Sequence, residues 1–129
     1  MDIKALDHAN LRTTRLAEMI DWYTRVLDMP PGPRPPFSFA GAWLYRHGRA
    51  LVHLVEVEEE GSTDNLKLEH FALQASGLSD FLKHLKINGV TSRVGKVPGF
   101  GIVQVNIWDP DGNHIHVDFA KHEGDAAGI

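Results

Sequence analysis

Four histidines occupy corresponding positions in two segments of this chain that resemble one another. His8 lies in the sequence LDHANL, and His70 lies in LEHFAL, 62 residues later. His53 lies in LVHL, and His116 lies in HIHV, 63 residues later. Imidazole is the side chain that most often binds metal ions in proteins, and it also transfers protons near neutral pH. The pattern predicts a metal site to which each of two repeated modules contributes two histidines.

The helices predicted around these histidines repeat as well. Behind each early histidine, apolar residues recur at the i, i+3, i+4, i+7 spacing of an amphipathic helix. The two sets are again 62 residues apart: Leu16, Met19, Ile20 and Tyr23 in the first half, and Leu78, Phe81, Leu82 and Leu85 in the second. Thr13 or Thr14 is the expected cap of the first helix, and Ser76 or Ser79 that of the second. Gly89 suits the end of the second helix.

Strand-like stretches flank each predicted helix. They comprise residues 3–11, 42–46 and 50–57 in the first half, and residues 66–75, 91–96, 101–108 and 113–120 in the second. Residues 30–39 are a candidate for one further strand, which the sequence does not decide. Residues 29–36 hold five of the seven prolines, a composition typical of an irregular or edge segment. Turns are expected at residues 46–49 and 109–112; the second has proline and glycine where a type I turn favours them.

These elements predict an α+β fold of two tandem βαβββ modules, about residues 1–58 and 66–120. The modules are joined near residues 59–64 and followed by a short tail, residues 121–129. Strand alternation places apolar residues on one face and histidines on the other, so His114, His116 and Asp118 oppose their apolar neighbours. The histidine-bearing face is also where we expect the substrate contacts: Trp43, Tyr45, Gln104, Asn106 and Trp108.

The chain resembles the vicinal oxygen chelate superfamily, which includes glyoxalase I, extradiol dioxygenases, methylmalonyl-CoA epimerase, and fosfomycin- and bleomycin-resistance proteins. Three stretches carry the resemblance: LDHA together with the helix end IDWYTRVLDM, then LEHFAL, then DPDGNHIHV. The resemblance covers essentially the whole chain and implies a single domain, residues 1–129. Its two modules would form a cupped, partly open mixed β-sheet barrel with helices on the outside. Many chemistries run on this fold, so the motifs do not specify one reaction.

In this superfamily, each module supplies one metal ligand from its first strand and one from its last. Carried over residue by residue, the ligands are His8, His53, His70 and His116, the four that the repeat identifies. The family usually has a glutamate at the position of His116, and some members use it as a proton-transferring base. The expected cofactor is a divalent transition metal (iron, zinc, nickel or manganese), since a set without carboxylates is poorly suited to magnesium or calcium.

The presence of a histidine at position 116, where the family has a glutamate, changes the chemistry that the site favours. Four neutral histidines leave the metal charge uncompensated, which favours anionic chelating substrates. The catalytic residue is not identified by the sequence: the candidates are Glu56, Asp118 and His114, of which Glu56 and Asp118 could be the base. His114 shares the histidine-bearing face, either behind the ligands or as a substitute ligand. Three histidines are expected in solvent: His47, His84 and His122.

The leading hypothesis is a metal-dependent enzyme that acts on a small oxygen-chelating metabolite. Dioxygenase or lyase chemistry is favoured over glyoxalase-type isomerisation, because His116 is not a glutamate. The alternative is a metal-free protein that sequesters a small molecule, as bleomycin-resistance relatives do. That alternative rests on the aromatic residues Phe37, Phe39, Trp43, Tyr45 and Trp108. The resemblance also implies a homodimer, with the site either inside one chain or across the interface.

Composition counts against several other classes of protein. The chain has no cysteine, so disulfides and thiolate metal sites are excluded and a cytoplasmic location is expected. Its net charge is −4 and its basic residues are scattered, so no nucleic-acid partner is expected. Its apolar runs are too short for a membrane span, and its first residues lack the pattern of a secretory signal.

Overall fold

Two units of the chain each build a sheet and an apolar core of their own. The computed structural model describes residues 1–62, 64 and 66–129. The units are Met1–Ser62 and Thr63–Ile129. Part of the predicted linker, residue 63, lies outside the described residues.

The first unit is a three-stranded sheet with one helix packed on it. Along the chain it contains β1 (Ala9–Thr13), α1 (Leu16–Leu27), β2 (Gly41–Arg46) and β3 (Arg49–Glu56). β3 lies in the middle of the sheet, parallel to β1 and antiparallel to β2. Of the predicted face of α1, Met19 and Tyr23 are buried and Leu16 and Ile20 are half-buried. The buried face of α1 also includes Trp22 and Val26, and it packs on the sheet, whose buried residues are Ala42, Leu44, Val52 and Leu54.

The second unit is a four-stranded sheet with two helices. It contains β4 (His70–Gln74), α2 (Leu78–Ile87), β5 (Arg93–Lys96), β6 (Val103–Trp108), β7 (His114–Phe119) and α3 (Lys121–Ala127). The strand order is β4-β7-β6-β5, in which β4 and β7 are parallel and the other pairs are antiparallel. The predicted alternation is confirmed, because the apolar residues of β6 and β7 are buried: Val103, Val105, Ile107, Ile115, Val117 and Phe119.

The predicted α+β class and the mixed sheets are confirmed, whereas the fourth strand of the first module is not found. Within the described residues the strands form these two sheets and no closed barrel. The region considered for a further strand makes only a single bridge, from Pro31 to Leu44. Proline has no backbone N–H to donate to a ladder, so this segment cannot continue the sheet. The first unit is therefore βαββ.

The strands that carry the early histidines start later than predicted. β1 begins at Ala9 and not at residue 3, and β4 begins at His70 and not at residue 66. In the second unit the reason is the partner strand, because β7 starts at His114 and pairs that residue with His70. His8 consequently lies just before β1, and His70 occupies the first position of β4.

The predicted side-chain caps of the helices are also wrong. α1 has Arg15 at its N-cap, with no side-chain cap, although the Thr13 hydroxyl oxygen accepts a hydrogen bond from the Arg15 amide at 3.0 Å. α2 begins after Gly77, whose backbone is left-handed with φ of 88°. The expected serines are replaced by Glu123 of α3, whose Oε2 accepts hydrogen bonds from the amides of Gly77 and Leu78 at 2.6 and 3.0 Å.

The helix end and both turns follow the prediction. Gly89 has a φ of 66° just after α2, as a left-handed helix end requires. The turn before β3 has positive φ at His47 and Gly48, which is the type I′ geometry of a tight hairpin. The Gly112 amide donates to the Asp109 carbonyl at 2.9 Å, which closes the turn before β7. None of the helices described has the length and apolar character to cross a lipid bilayer.

Candidate functional site

His8 and His53 form a stacked pair in the first unit. Their ring centroids are 3.9 Å apart and their planes differ by 11°. Nδ1 of His8 donates to Oδ2 of Asp7 at 2.7 Å, and this hydrogen bond lowers the pKa of Asp7. A ring that donates through Nδ1 keeps the lone pair on Nε2 for a metal ion. The pair thus has the arrangement of metal-binding histidines with a carboxylate behind one of them.

His70 and His116 form the corresponding pair in the second unit. Their ring centroids are 4.0 Å apart and their planes differ by 12°. Nδ1 of His70 donates to Oε2 of Glu69, the residue that precedes it. Hydrogen bonds from His70 and then from His114 lower the pKa of Glu69 to about 2, so this carboxylate is ionised at neutral pH.

The two units therefore repeat the same arrangement of side chains as well as similar sequence motifs. In each unit a histidine at or just before the first strand stacks on a histidine of the last strand. In each unit the preceding acidic residue holds Nδ1 of the first histidine. Carboxylates behind ligating histidines are a common feature of metal sites, because they fix the tautomer and make the imidazole a better donor.

His114 is held by acceptors at both of its ring nitrogens. Nδ1 lies 2.6 Å from Oε1 of Glu69, and Nε2 lies 2.9 Å from Oδ1 of Asn106. A neutral ring can donate to one of these oxygens, and a protonated ring can donate to both. The orientation of that amide is set by its other end, since Nδ2 of Asn106 donates to the Arg93 carbonyl at 3.0 Å. A metal ion could bind His114 only after one of these two hydrogen bonds is broken.

The histidines of the second unit suit a transition metal by their donor type and spacing. His70, His114 and His116 each place one ring nitrogen within 4.8 Å of the others. Neutral imidazole nitrogen is a ligand that iron, zinc and nickel accept. Because both nitrogens of His114 are engaged, His70 and His116 are the more available donors.

Burial favours the neutral, metal-binding form of the histidine on the last strand of each unit. The pKa of His53 is lowered by burial and then by the nearby His8 ring. The pKa of His116 is lowered by burial and then by the nearby His70 and His114 rings. A lowered pKa keeps the ring free of the competing proton at lower pH, and metal binding requires that free form.

Gln104 controls which nitrogen of His116 is free. Its Nε2 lies 3.1 Å from Nδ1 of His116 and donates to it. With Nδ1 as the acceptor, the hydrogen of the neutral ring is on Nε2. Binding of a metal through Nε2 therefore requires the Gln104 amide to rotate, so that its oxygen accepts from Nδ1.

Three predicted substrate contacts in the second unit touch histidines instead of lying free. Gln104 is hydrogen-bonded to His116, and Asn106 is hydrogen-bonded to His114. Trp108 stacks on His114, with ring centroids 4.9 Å apart and planes 7° apart. These three side chains position the imidazoles, and any contact with substrate would be an additional role.

The two predicted substrate contacts of the first unit differ from one another. Trp43 stacks on His53 at 4.1 Å and 12°, and it lines a cavity together with that histidine. The Tyr45 hydroxyl donates to the Pro33 carbonyl at 2.6 Å. Tyr45 therefore anchors the proline-rich segment, whereas Trp43 lines the cavity.

The two candidate bases have different surroundings. Glu56 is exposed at the last position of β3, three residues beyond His53, so strand alternation turns it to the other face of the sheet. Asp118 lies two residues beyond His116 in β7, on the same face. Its Oδ1 is buried, and among the described residues it has no hydrogen-bond partner. An unpaired buried carboxylate oxygen is a rare feature that calls for a role.

Sequence reasoning did not assign roles to Asp7 and Glu69, although both stand inside the repeated motif. The signal was present, because an acidic residue precedes the early histidine in both halves. Arg49, which lines the same cavity as Trp43, was treated only as part of a turn. Arg93, whose guanidinium carbon is 5.3 Å from the Trp108 ring centroid, carried no recognisable signal.

The sequence profile of the Glyoxalase/Bleomycin resistance protein/Dioxygenase superfamily matches residues 5–117. The chain belongs to this superfamily. Its resemblance to the vicinal oxygen chelate group is thereby confirmed, and both histidine pairs lie within the matched residues.

Three members of the superfamily illustrate how similar this chain is to known proteins. Glyoxylase I 4 of Arabidopsis thaliana is 27% identical over 124 residues, which are 91% of this chain and 71% of that protein. Lactoylglutathione lyase of Escherichia coli O157:H7 is 27% identical over 130 residues, which cover 94% of this chain and 96% of that protein. A glyoxalase family protein from Bacillus anthracis has a solved structure with a TM-score of 0.79 and 18% identity, covering 94% of this chain and 98% of that one. At that identity the structural likeness shows the fold alone.

Proposed function

We propose that this superfamily member is a metal-dependent enzyme that acts on a small oxygen-chelating metabolite. The proposed ligands are His8, His53, His70 and His116. The observation that carries the proposal is the matched construction of the two histidine pairs, each stacked and each backed by a carboxylate. A surface histidine needs neither feature, whereas a metal-ligating histidine benefits from the carboxylate.

The residue at position 116 directs the choice among reactions. The superfamily usually has a glutamate there, and the histidine cannot replace it as a carboxylate base. A bound divalent ion would polarise the oxygens of a chelating substrate. We therefore favour dioxygenase or lyase chemistry over glyoxalase-type isomerisation, and we expect iron, zinc, nickel or manganese as the ion.

Asp118 is the proposed proton acceptor. Its buried oxygen without a partner lies on the face of β7 that carries His116, whereas Glu56 is on the opposite face of its strand. A carboxylate oxygen held without a hydrogen bond is a stronger acceptor than one already satisfied. Asp118→Asn should abolish turnover while metal content stays unchanged, and loss of the metal would instead assign this residue to binding.

Metal content is the experiment that tests the proposal. The chain is purified without a histidine tag, and bound metals are measured by mass spectrometry beside His8→Ala and His70→Ala. We expect about one transition-metal ion per chain in the wild type and loss in both variants. The matched control is His122→Ala, an exposed histidine of α3 that should keep the ion. The ion found then selects the assays: oxygen consumption for iron, and both isomerase and lyase activity for zinc or nickel.

A second candidate function is metal-free binding of a small aromatic molecule. A row of rings favours it, since Phe37 stacks on Phe39 at 5.0 Å and lies 6.5 Å from Trp43. No metal in the purified protein, and none taken up on reconstitution, would favour this function. Under either function we expect a homodimer, which sedimentation or scattering in solution measures.

A further inference from the structure

A cavity in the first unit joins the histidine pair to a flat aromatic wall and a positive charge. Its volume is about 400 Å³, and it is lined by Asp7, His8, Trp43, Arg49, Ala50 and His53. Cavities of this size commonly hold small molecules. All six residues belong to the same unit, so the cavity is complete within residues 1–62.

The wall of this cavity is Trp43. Its ring lies parallel to His53, which in turn lies parallel to His8, so three flat rings stack in succession. Phe37 extends the aromatic surface beyond Trp43 and is 45% exposed. Flat unsaturated groups pack on such a surface with more contact than puckered aliphatic ones.

Arg49 is the cation of the cavity, and within the described residues its guanidinium forms no hydrogen bond or ion pair. Other arginines nearby are committed: Arg46 is paired with Asp28, and Arg34 donates to the Phe39 carbonyl at 3.0 Å. Asp7 lines the same cavity and accepts its hydrogen bond from His8; after that bond, the nearby charge of Arg49 also lowers the pKa of Asp7, although no ion pair joins the two side chains.

The position of Arg49 is fixed by the backbone. It is the first residue of β3, it pairs with Arg46 across the hairpin, and the type I′ turn lies between them. A guanidinium offers five donors in a planar fork, which matches the two oxygens of a carboxylate. The Arg49 guanidinium lies at a cavity that also contains candidate metal ligands, and it has no hydrogen-bond or ion-pair partner within the described residues. It is therefore placed to bind the anionic group of a ligand.

We propose that Arg49 selects substrates that carry a carboxylate on a flat, unsaturated skeleton, with the flat group against Trp43. This inference rests on the proposed function for the role of the two histidines, but the anion contact itself involves only Arg49 and Trp43. Arg49 is thus a specificity-determining residue, and the substrate class is small aromatic or conjugated carboxylates.

The test measures binding of three probes by calorimetry, to protein stripped of metal with EDTA and to the same protein reloaded with zinc. Benzoate has the charge and the flat ring, benzamide lacks the charge, and cyclohexanecarboxylate lacks the flat ring. We expect the stripped wild type to bind benzoate about tenfold more tightly than benzamide, the ratio typical of a charge-assisted hydrogen bond. Cyclohexanecarboxylate should bind more weakly than benzoate by a smaller factor.

Two substitutions and a control assign the effect to Arg49. Arg49→Gln should reduce benzoate binding to the benzamide level, and Arg49→Lys should restore it in part, because lysine keeps the charge without the fork. The matched control is Arg12→Gln, at an exposed position of β1 that does not line the cavity. It should bind benzoate as the wild type does, and thermal unfolding checks that all variants are folded.

The outcomes separate this inference from the proposed function. If benzoate and benzamide bind alike, or if Arg49→Gln binds benzoate as the wild type does, the inference is wrong whatever the metal content. If Arg49→Gln changes zinc affinity and leaves benzoate binding unchanged, Arg49 acts on Asp7 and the inference is likewise overturned. If the wild type takes up no metal but benzoate binding depends on Arg49, the anion site is supported and the proposed metal-dependent function is refuted.

Discussion

Replacing the carboxylate of Glu69 should weaken metal binding more than any other single change outside the four proposed ligands. Its two oxygens accept from two different rings, Oε2 from His70 and Oε1 from His114. In Glu69→Gln only one of these positions can be an oxygen. The other becomes an NH₂ group that faces a ring N–H, so one histidine must turn away or change tautomer.

The size of the effect follows from the number of rings that depend on the carboxylate. Loss of a group behind a ligating histidine commonly lowers metal affinity about 10–100-fold. We expect Glu69→Gln to lie near the upper end, about 100-fold, because Glu69 holds the proposed ligand His70 and also His114, whose ring packs edge-on against both His70 and His116. Asp7→Asn should lie near the lower end, about tenfold, because Asp7 holds His8 alone.

The assay is competition for zinc between the protein and a chromophoric chelator. Glu18→Gln is the control, since Glu18 is an exposed residue of α1 that pairs only with Arg15 among its described contacts. Measurements at low and high salt separate loss of charge, which salt screens, from loss of ring orientation, which salt leaves unchanged. If Glu69→Gln holds zinc as tightly as Glu18→Gln does, the carboxylate does not orient the ligands and the reasoning is refuted.

Three further predictions concern hydrogen bonding and packing. Gln104→Glu should tighten zinc binding about tenfold, because a carboxylate can only accept from Nδ1 of His116 and so frees Nε2; unchanged zinc competition would contradict this. Hydrogen bonds from the amides of Leu78 and Gly77 lower the pKa of Glu123 below its ordinary value of 4.5. The free energy of unfolding that Glu123 contributes is therefore fully present above pH 4.5, and it is lost as the pH falls through the lowered pKa of the folded state. Thermal melts should therefore show Glu123→Gln less stable than wild type at neutral pH, with the difference disappearing in acid; an equal difference at every pH would point to another cause. Gly41→Ala should cost about 2 kcal/mol in urea unfolding, because the new Cβ would overlap the Leu54 carbonyl oxygen; a wild-type midpoint would show that β2 can move aside.

Local patterns in the sequence were sufficient to predict features that depend only on neighbouring residues, such as the buried face of a strand or the end of a helix. Alternation along β6 and β7 predicted which residues are buried, because a residue's face follows from its position in the strand. Gly89 ended α2 as expected, since only the left-handed backbone was required there. The same reasoning placed the histidines of β7 on the face opposite the core.

Features that depend on distant partners were not predictable in this way. The start of α2 is capped by Glu123, which is 46 residues from Gly77 in sequence, so the neighbouring serines gave a false signal. β4 begins where its partner β7 begins, since His70 pairs with His114, and no property of residues 66–69 reveals that limit. The dual contact of Glu69 is also nonlocal, because His114 is 45 residues away.

The carboxylates behind the histidines change the electrostatic argument drawn from the sequence. Four neutral imidazoles would leave a divalent ion fully charged, which favours binding of anionic substrates. Asp7 and Glu69 place negative charge one hydrogen bond beyond His8 and His70, and Glu69 stays ionised far into the acid range. These charges raise the donor strength of two rings without entering the coordination shell. The coordination positions not taken by histidine would thus stay open for a chelating substrate. In the family the glutamate ligand supplies negative charge directly to the ion; here Asp7 and Glu69 would supply it through their hydrogen bonds to His8 and His70.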